Sequence, residues 1–423
     1  MTWLPKSVVC LSYYDRFRFL TDAFAALVLA LQVFPVAIAI AVACGVHPLY
    51  GISCTAIAGL LASALGDSKI RVTAPSVVFV AVGSSIVARG GILALSLSTL
   101  LAGVLLVFFG AIGLGAGIRR LPRPVVAGFS TGIAVLVVCQ RVPDLLGIGS
   151  QLATGRVTRE ALTPIRYAAQ IEPHAIILAV ATRILMVECR KASRYLPAGL
   201  IAVTAGALLV KFGYFPVRTI ESLFGADLGP FYLHPSDAFR LDLLGSILAQ
   251  GFAIAVLVAI ESFQAIGLAA SLTGERFNSN GELFVQGGVN LASAFAGGLP
   301  ASGVPSHTLD NARLGAQTPI AGMVQAVFLV VMLLLMAPLL RFIPLPVISA
   351  LILSSVFCRT NWREVFQFMK VPRIEAAAWA AISFLTIVLD LPIAIAVGLL
   401  IGMFLHIRKK QAILSKAAPG QSP

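Results

Sequence analysis

Charged residues are scarce in this chain. Asp, Glu, Lys and Arg make up 12% of its 423 residues, about half the share found in soluble domains. Hydrophobic residues reach 58%, with a mean hydropathy of +0.95, and no single globular core could use that much apolar surface. Acidic residues are the scarcer sign, 18 against 31 basic, which leaves a net charge of +13. The basic excess lacks the continuous face with interleaved aromatics that nucleic-acid binding needs. Cysteine pairing motifs are also missing. The six cysteines, Cys10, Cys44, Cys54, Cys139, Cys189 and Cys358, include no CxxC pair, and most lie inside apolar runs where a thiol acts as a small hydrophobe, so neither a disulfide nor a metal site is expected. The five histidines, His47, His174, His234, His307 and His406, show no HExxH spacing, which argues against an intramembrane metalloenzyme. Met1 to Arg18 has no unbroken apolar core followed by a small-residue cleavage site, so it does not read as a secretory signal peptide.

What the chain has is apolar runs. They fall at Asp22–Ala43, Tyr50–Leu65, Val77–Ala88, Ile92–Gly115, Val125–Val142, Ala175–Val187 and Ala198–Phe212. A second series follows at Leu243–Ala269, Leu283–Ala296, His307–Leu314, Ile320–Leu340, Val347–Phe357, Ala376–Leu389 and Ile393–Leu405. At roughly twenty residues per span, this predicts an all-α polytopic membrane protein of about fourteen transmembrane segments, seven plus seven. Basic groups sit in alternate gaps: Lys6, Arg16 and Arg18; Lys69 and Arg71; Arg119, Arg120 and Arg123; Arg190, Lys191 and Arg194; Arg359, Arg363, Lys370 and Arg373; Arg408, Lys409 and Lys410. The positive-inside rule then puts both termini in the cytoplasm of a cell (inner or plasma) membrane protein. Arg156, Arg159, Arg166, Lys211, Arg218 and Arg240 depart from the bias in two longer loops, which translocate largely regardless of charge. The expected organisation is a cytoplasmic segment over 1–20, a transmembrane domain over 21–407 with repeats at about 21–215 and 241–407, and a short basic tail over 408–423.

The two series share an irregularity. In each, the third member is too short to cross and follows a stretch unlike ordinary membrane helix: Arg71-Val72-Thr73-Ala74-Pro75 in the first, Leu299-Pro300-Ala301-Ser302-Gly303-Val304-Pro305 in the second. Short, proline-interrupted segments at matching places in two halves point to the binding site of an inverted-repeat transporter. Non-helical backbone at membrane depth survives only where protein buries it or water reaches it. Each half-helix start presents unpaired N–H groups and about half a positive charge, so two starts facing one cavity attract an anion before any side chain contributes.

Further residues resemble a known family. Leu121-Pro122-Arg123-Pro124-Val125-Val126-Ala127-Gly128-Phe129-Ser130-Thr131-Gly132, the stretch Val72-Thr73-Ala74-Pro75-Ser76, and Gly297-Gly298-Leu299-Pro300-Ala301-Ser302-Gly303 running on to Thr308 and Asn311 look like the SulP family of anion transporters, which includes sulfate permeases and bicarbonate transporters. The resemblance keeps its order from Asp22 to about His406. It implies a uracil-permease-like fold, a 7+7 inverted repeat in which a core domain with two midplane half-helices moves against a gate domain. It implies a substrate site at Ser76 and Val77 on the third segment, at Ser306, His307 and Thr308 on the tenth, and around Gln32, Phe34 and Pro35 on the first. Glu261 matches the acidic position used for ion or proton coupling, or for holding the core together. Many members carry arginine where this chain has His307 and a small or hydroxyl residue where it has Asp310, and Ala265 replaces a hydroxyl seen in sodium-coupled relatives. A proton is therefore favoured over sodium as coupling ion, with Glu261, His307 and Asp310 as its candidates and no cofactor. The family's usual cytoplasmic STAS domain is not expected in the residues after His406.

Each residue also has a plainer reading. A carboxylate inside a span is costly and faces the bundle interior, so Glu261 is either functional or a structural partner to another helix. A lone histidine in an apolar setting is more often packed than functional. The half-helix position favours function for His307, and a histidine at its ordinary pKa of about 6.5 would make anion uptake rise as external pH falls. Ser76, Ser306 and Thr308 could be simple helix caps, Pro35 a kink, and Arg71 an anchor at the membrane surface. Expected partners are a small anion of the sulfate, bicarbonate, chloride or dicarboxylate class, the lipid bilayer and a second copy in a homodimer, with no nucleic acid. A channel-like or non-transporting sensor of the same fold, or a carrier of a neutral nucleobase-like solute, remain the alternatives.

Overall fold

The computed structural model describes residues 5–148, 167–213, 215–225, 243–359, 372–389 and 391–417. Arg156, Arg159, Arg166, Arg240, Arg363 and Lys370 lie outside the described residues. In chain order the helices are α1 (Lys6–Cys10), α2 (Arg16–Ala43), α3 (Pro48–Leu65), α4 (Val78–Ala111), α5 (Gly115–Arg119), α6 (Arg123–Leu145), α7 (Pro173–Ala192) and α8 (Ala198–Lys211). They continue as α9 (Ile220–Phe224), α10 (Leu244–Thr273), α11 (Ser279–Ala296), α12 (Pro305–Arg313), α13 (Ile320–Leu340), α14 (Leu345–Arg359), α15 (Arg373–Val388) and α16 (Leu391–Ala417). Two short strands, β1 (Thr73–Pro75) and β2 (Ala301–Gly303), precede α4 and α12.

Local chemistry sets the ends. The Asp15 carboxylate accepts from the Arg18 N–H and starts α2, and the Asn278 side chain accepts from the Asn280 and Gly281 N–H groups and starts α11. Pro48, Pro124 and Pro305 occupy first-turn positions, where a missing N–H costs nothing. Helix α4 has 34 residues, about 50 Å at 1.5 Å per residue, too long for one crossing. Gly91, at φ 69° and ψ −171°, breaks it into two legs, which correspond to the separate apolar runs at Val77–Ala88 and Ile92–Gly115. Such a backbone suits glycine alone. With that break counted, the described residues hold fourteen helical stretches of nine residues or more.

Two sets of helices pack separately. Helices α2, α3, α4, α10, α11 and α13 form one, and α6, α7, α8, α14, α15 and α16 the other. Each set draws on both halves of the chain. Contacts of α2 with α8 and α14, of α4 with α6 and of α10 with α16 join them. Large apolar side chains such as Phe17, Phe108, Leu334, Leu335, Phe384 and Phe404 point outward, as a lipid-facing surface requires, and among the described residues six helices are long and apolar enough to cross a membrane. The protein is a multi-pass membrane protein. The bounds differ from the sequence reading at both termini: α2 already begins at Arg16, and α16 continues to Ala417, beyond the expected start of the tail at Arg408.

Candidate functional site

Strands β1 and β2 pair antiparallel, with Thr73 opposite Gly303, Ala74 opposite Ser302 and Pro75 opposite Ala301. The ladder extends through the Val304 N–H, which donates to the Val72 carbonyl at 2.9 Å. Ladder bonds fall on alternate pairs, so Pro75 sits where its missing N–H breaks none. The outward backbone groups of β2 go to side chains. The Ala301 N–H donates to Asn290 Oδ1 (3.0 Å), Asn290 Nδ2 donates to the Ala301 carbonyl (2.8 Å), and the Gly303 N–H donates to Ser262 Oγ (2.9 Å). Non-helical backbone inside the bundle thus finds its partners in protein, as the scarcity of water there demands.

Because the strands are antiparallel, α4 and α12 leave the ladder in opposite directions. Their positive ends face back toward one place, offset by roughly 10 Å at about 3.3 Å per residue. Ser76 and Ser306 thus lie at opposite ends of one short ladder. Val78, Pro305, Ser306 and His307 are half-buried at the two starts, while Ser76, Val77 and Thr308 are buried. The N-cap residue of α12 is Val304, with no side-chain capping bond, so Ser306 and Thr308 are not caps. Thr308 Oγ1 instead accepts from the Val72 N–H (3.1 Å) and donates to the Val304 carbonyl (2.9 Å), and Asn311 Nδ2 donates to the Ile70 carbonyl (2.9 Å). Helix α12 is stitched to the strand of the other half.

Glu261 lies at the centre of this arrangement, 3% exposed on α10. Ser76 Oγ donates to Glu261 Oε1 at 3.0 Å and Ser302 Oγ to Oε2 at 2.5 Å. One carboxylate from the eighth apolar run therefore ties together the segments that lead into both half-helices. Asp310 is half-buried on α12, where the charges acting on it are those of Arg313 and Arg190. On α2, Gln32 Nε2 donates to the Arg194 carbonyl (3.1 Å), the Phe34 ring borders an apolar groove against α8 and α13, and the Pro35 ring packs against Gly199 of α8. These three residues mark where the two helix sets meet.

Arg71 departs from its expected place. It is no surface anchor: its side chain is 1% exposed and ion-pairs with Glu282, itself fully buried. Arg71 Nη2 donates to the Ala62 carbonyl (2.9 Å), and Gln286 Nε2 donates to Glu282 Oε1 (2.9 Å) and to Thr73 Oγ1 (3.4 Å). This cluster fixes the base of β1. Sequence reasoning missed Glu282, Gln286, Asn290, Ser262 and Ser302; their signal was polarity within or beside apolar runs. Among the described residues no three His, Cys, Asp or Glu side chains gather as a metal site would require.

An inverted pair of half-helices, joined strand to strand inside two helix sets, defines a class of membrane transport proteins, and comparison with known proteins agrees. Residues 19–382 match the sulfate permease family, and the chain belongs to that family. YvdB of Bacillus subtilis, described as a putative sulfate transporter, is 29% identical over 94% of this chain and 75% of its own length. The bicarbonate transporter BicA of Synechocystis is 28% identical over 85% of this chain and 65% of its own length. Among solved structures, the transmembrane domain of a cyanobacterial BicA superposes with a TM-score of 0.79 at 24% identity, covering 90% of this chain and 98% of that one. SLC26A9 superposes at 0.84 with 14% identity over 95% of this chain and 67% of its own. Family members are transporters, not enzymes.

Proposed function

We propose that this protein is a secondary active transporter of small anions, of the sulfate, bicarbonate, chloride or dicarboxylate class, working by alternating access. The observation that carries the reading is the antiparallel β1–β2 pair, which turns the positive ends of α4 and α12 toward one another. Relatives named for sulfate and bicarbonate transport support the choice of anions. In this reading the half-buried Ser306 and His307 at the start of α12 contact the anion, and the positive end of α4 faces the same place. Glu261 holds the two half-helix starts in register. The set containing α2, α4 and α10 is the moving core, the set containing α6 and α14 is the gate, the protein works as a homodimer, and both termini are cytoplasmic.

The test is counterflow in proteoliposomes with sulfate, bicarbonate, chloride and dicarboxylates as competitors, with and without proton or sodium gradients. Saturable counterflow by one anion class is expected; its absence for all of them, with protein correctly inserted, overturns the reading. For coupling, we propose that His307 gives the site a titratable positive charge. Protonation adds charge as pH falls, so uptake should rise severalfold from pH 8 to pH 5, and His307→Gln should flatten the profile. Wild-type uptake that is flat across that range removes His307 from the coupling scheme.

A further inference from the structure

Helix α7 turns a charge outward at membrane depth. Its 20 residues, Pro173–Ala192, are enough for one crossing, and Arg183 lies near their middle, about 15 Å from either end. The Arg183 side chain is exposed and makes neither an ion pair nor a hydrogen bond among the described residues. An arginine at that depth is costly unless protein or water meets its charge.

The residues around Arg183 follow a seven-residue repeat. Written abcdefg with Arg183 at g, Ile177 and Ile184 take a, Val180 and Val187 take d, and Glu188 takes e. Ile177, Val180 and Ile184 are 55%, 50% and 57% exposed, and Val187 is half-buried. The buried residues of α7 are Ala175, Leu178, Ala179, Thr182 and Met186, and every one of them falls at b, c or f, on the face packed against α8 and α14. The outward face therefore carries an unbroken β-branched a/d seam with a charge on each flank, the pattern of a parallel two-stranded coiled coil. The next a position is Lys191, one residue before the helix end, so the seam stops there.

The charges select what covers the seam. In a parallel helix pair, a g residue faces the e residue of the partner's following heptad, five positions on. Glu188 follows Arg183 by that interval, whereas on a single helix the two stand roughly 140° apart and do not meet. A two-fold axis normal to the membrane sets two copies of α7 parallel and makes each contact reciprocal. Arg183 then meets the partner's Glu188, and Glu188 meets the partner's Arg183. Glu188 Oε1 accepts from Lys191 Nζ at 2.8 Å, both side chains being well exposed; such a surface pair contributes little and leaves Oε2 for the partner.

We propose that α7 pairs with α7 of a second copy along the Ile177–Val187 seam, held in register by two reciprocal Arg183–Glu188 ion pairs. The inference rests on the homodimer of the reading above and gives it a surface. Because α7 belongs to the gate set, this seam joins two gates and leaves each core set free to move.

The test mixes donor- and acceptor-labelled intact chains in vesicles and follows energy transfer as the protein is diluted in lipid. The unaltered chain should associate. Arg183→Glu and Glu188→Arg, each alone, should weaken association about ten-fold or more, because each sets like charges against each other across the seam. The double variant Arg183→Glu with Glu188→Arg should recover it to within a few-fold, which a variant that merely failed to fold would not do. Association unchanged in both single variants places the dimer on another surface and overturns the proposal while leaving the homodimer standing. An unaltered chain that stays monomeric at every density overturns both. Loss in Arg183→Glu alone, or no recovery in the double variant, shows that Arg183 meets something other than Glu188 and also overturns the proposal.

Discussion

At the residue scale, the most exacting element is the Arg71–Glu282 pair, because both partners are buried and 211 residues apart in sequence. Removing one charge strands the other in the interior, at a cost of about 3–5 kcal/mol, whereas replacing both by apolar side chains of similar size is near neutral. Arg71→Met is therefore expected to lower the unfolding midpoint sharply, and the double variant Arg71→Met with Glu282→Leu to recover most of the loss. A double variant whose loss equals the sum of the losses in Arg71→Met and Glu282→Leu alone would show that the pair contributes no coupling. Neither half of this pair is legible in sequence. Arg71 stands at the edge of an apolar run, as a surface anchor does, and Glu282 falls just before Leu283, where the next run begins. Hydropathy places a charge relative to its own run, and nothing in it reports a partner on a distant helix. Glu261, by contrast, is legible as a cost that has to be met, though not the two serines that meet it.

At the scale of the element, the half-helices are legible because Pro75 and Pro305 interrupt apolar sequence at matching places in the two halves. The strand register is not, since Thr73–Pro75 and Ala301–Gly303 are too short for any alternation to declare itself. What fixes the register is side-chain traffic to the strand edges and the close approach of β2 to α10. A Cβ added at Gly303 would stand 2.9 Å from the Ala265 side chain and 3.1 Å from the Ser262 backbone. Gly303→Ala must push β2 away from α10 and stretch the Gly303–Ser262 hydrogen bond. Overpacking of this sort costs about 1–3 kcal/mol, and because the displaced strand leads into α12, transport should fall further than stability does. Uptake in vesicles and midpoint in detergent, measured on the same preparation, separate the two effects.

At the scale of the whole molecule, the two helix sets touch over few places, and one of them is tight. Gly199 of α8 lets the Pro35 ring of α2 approach, a Cβ there meeting Pro35 Cγ at 3.2 Å and Leu351 of α14 at 3.6 Å. If one set moves against the other during transport, this junction must slide. Gly199→Val is expected to slow counterflow about ten-fold. An unchanged rate would mean that the sets do not move past each other at this point. That the sets exist is legible only through the family resemblance. Apolar runs of similar character build both, and which run packs on which is decided by side-chain volume in three dimensions.

The strand pair also bears on how the protein is made. β1 belongs to the first half of the chain and its partner emerges roughly 230 residues later. At about 5–20 residues per second of synthesis, the edge of β1 waits on the order of ten seconds or more before β2 arrives, and hydrocarbon offers its backbone nothing in the meantime. The nascent first half must therefore stay at a wet or chaperoned boundary until the second half is threaded. Ribosomes stalled ahead of Ala301 should leave a chain that membrane proteases clear quickly.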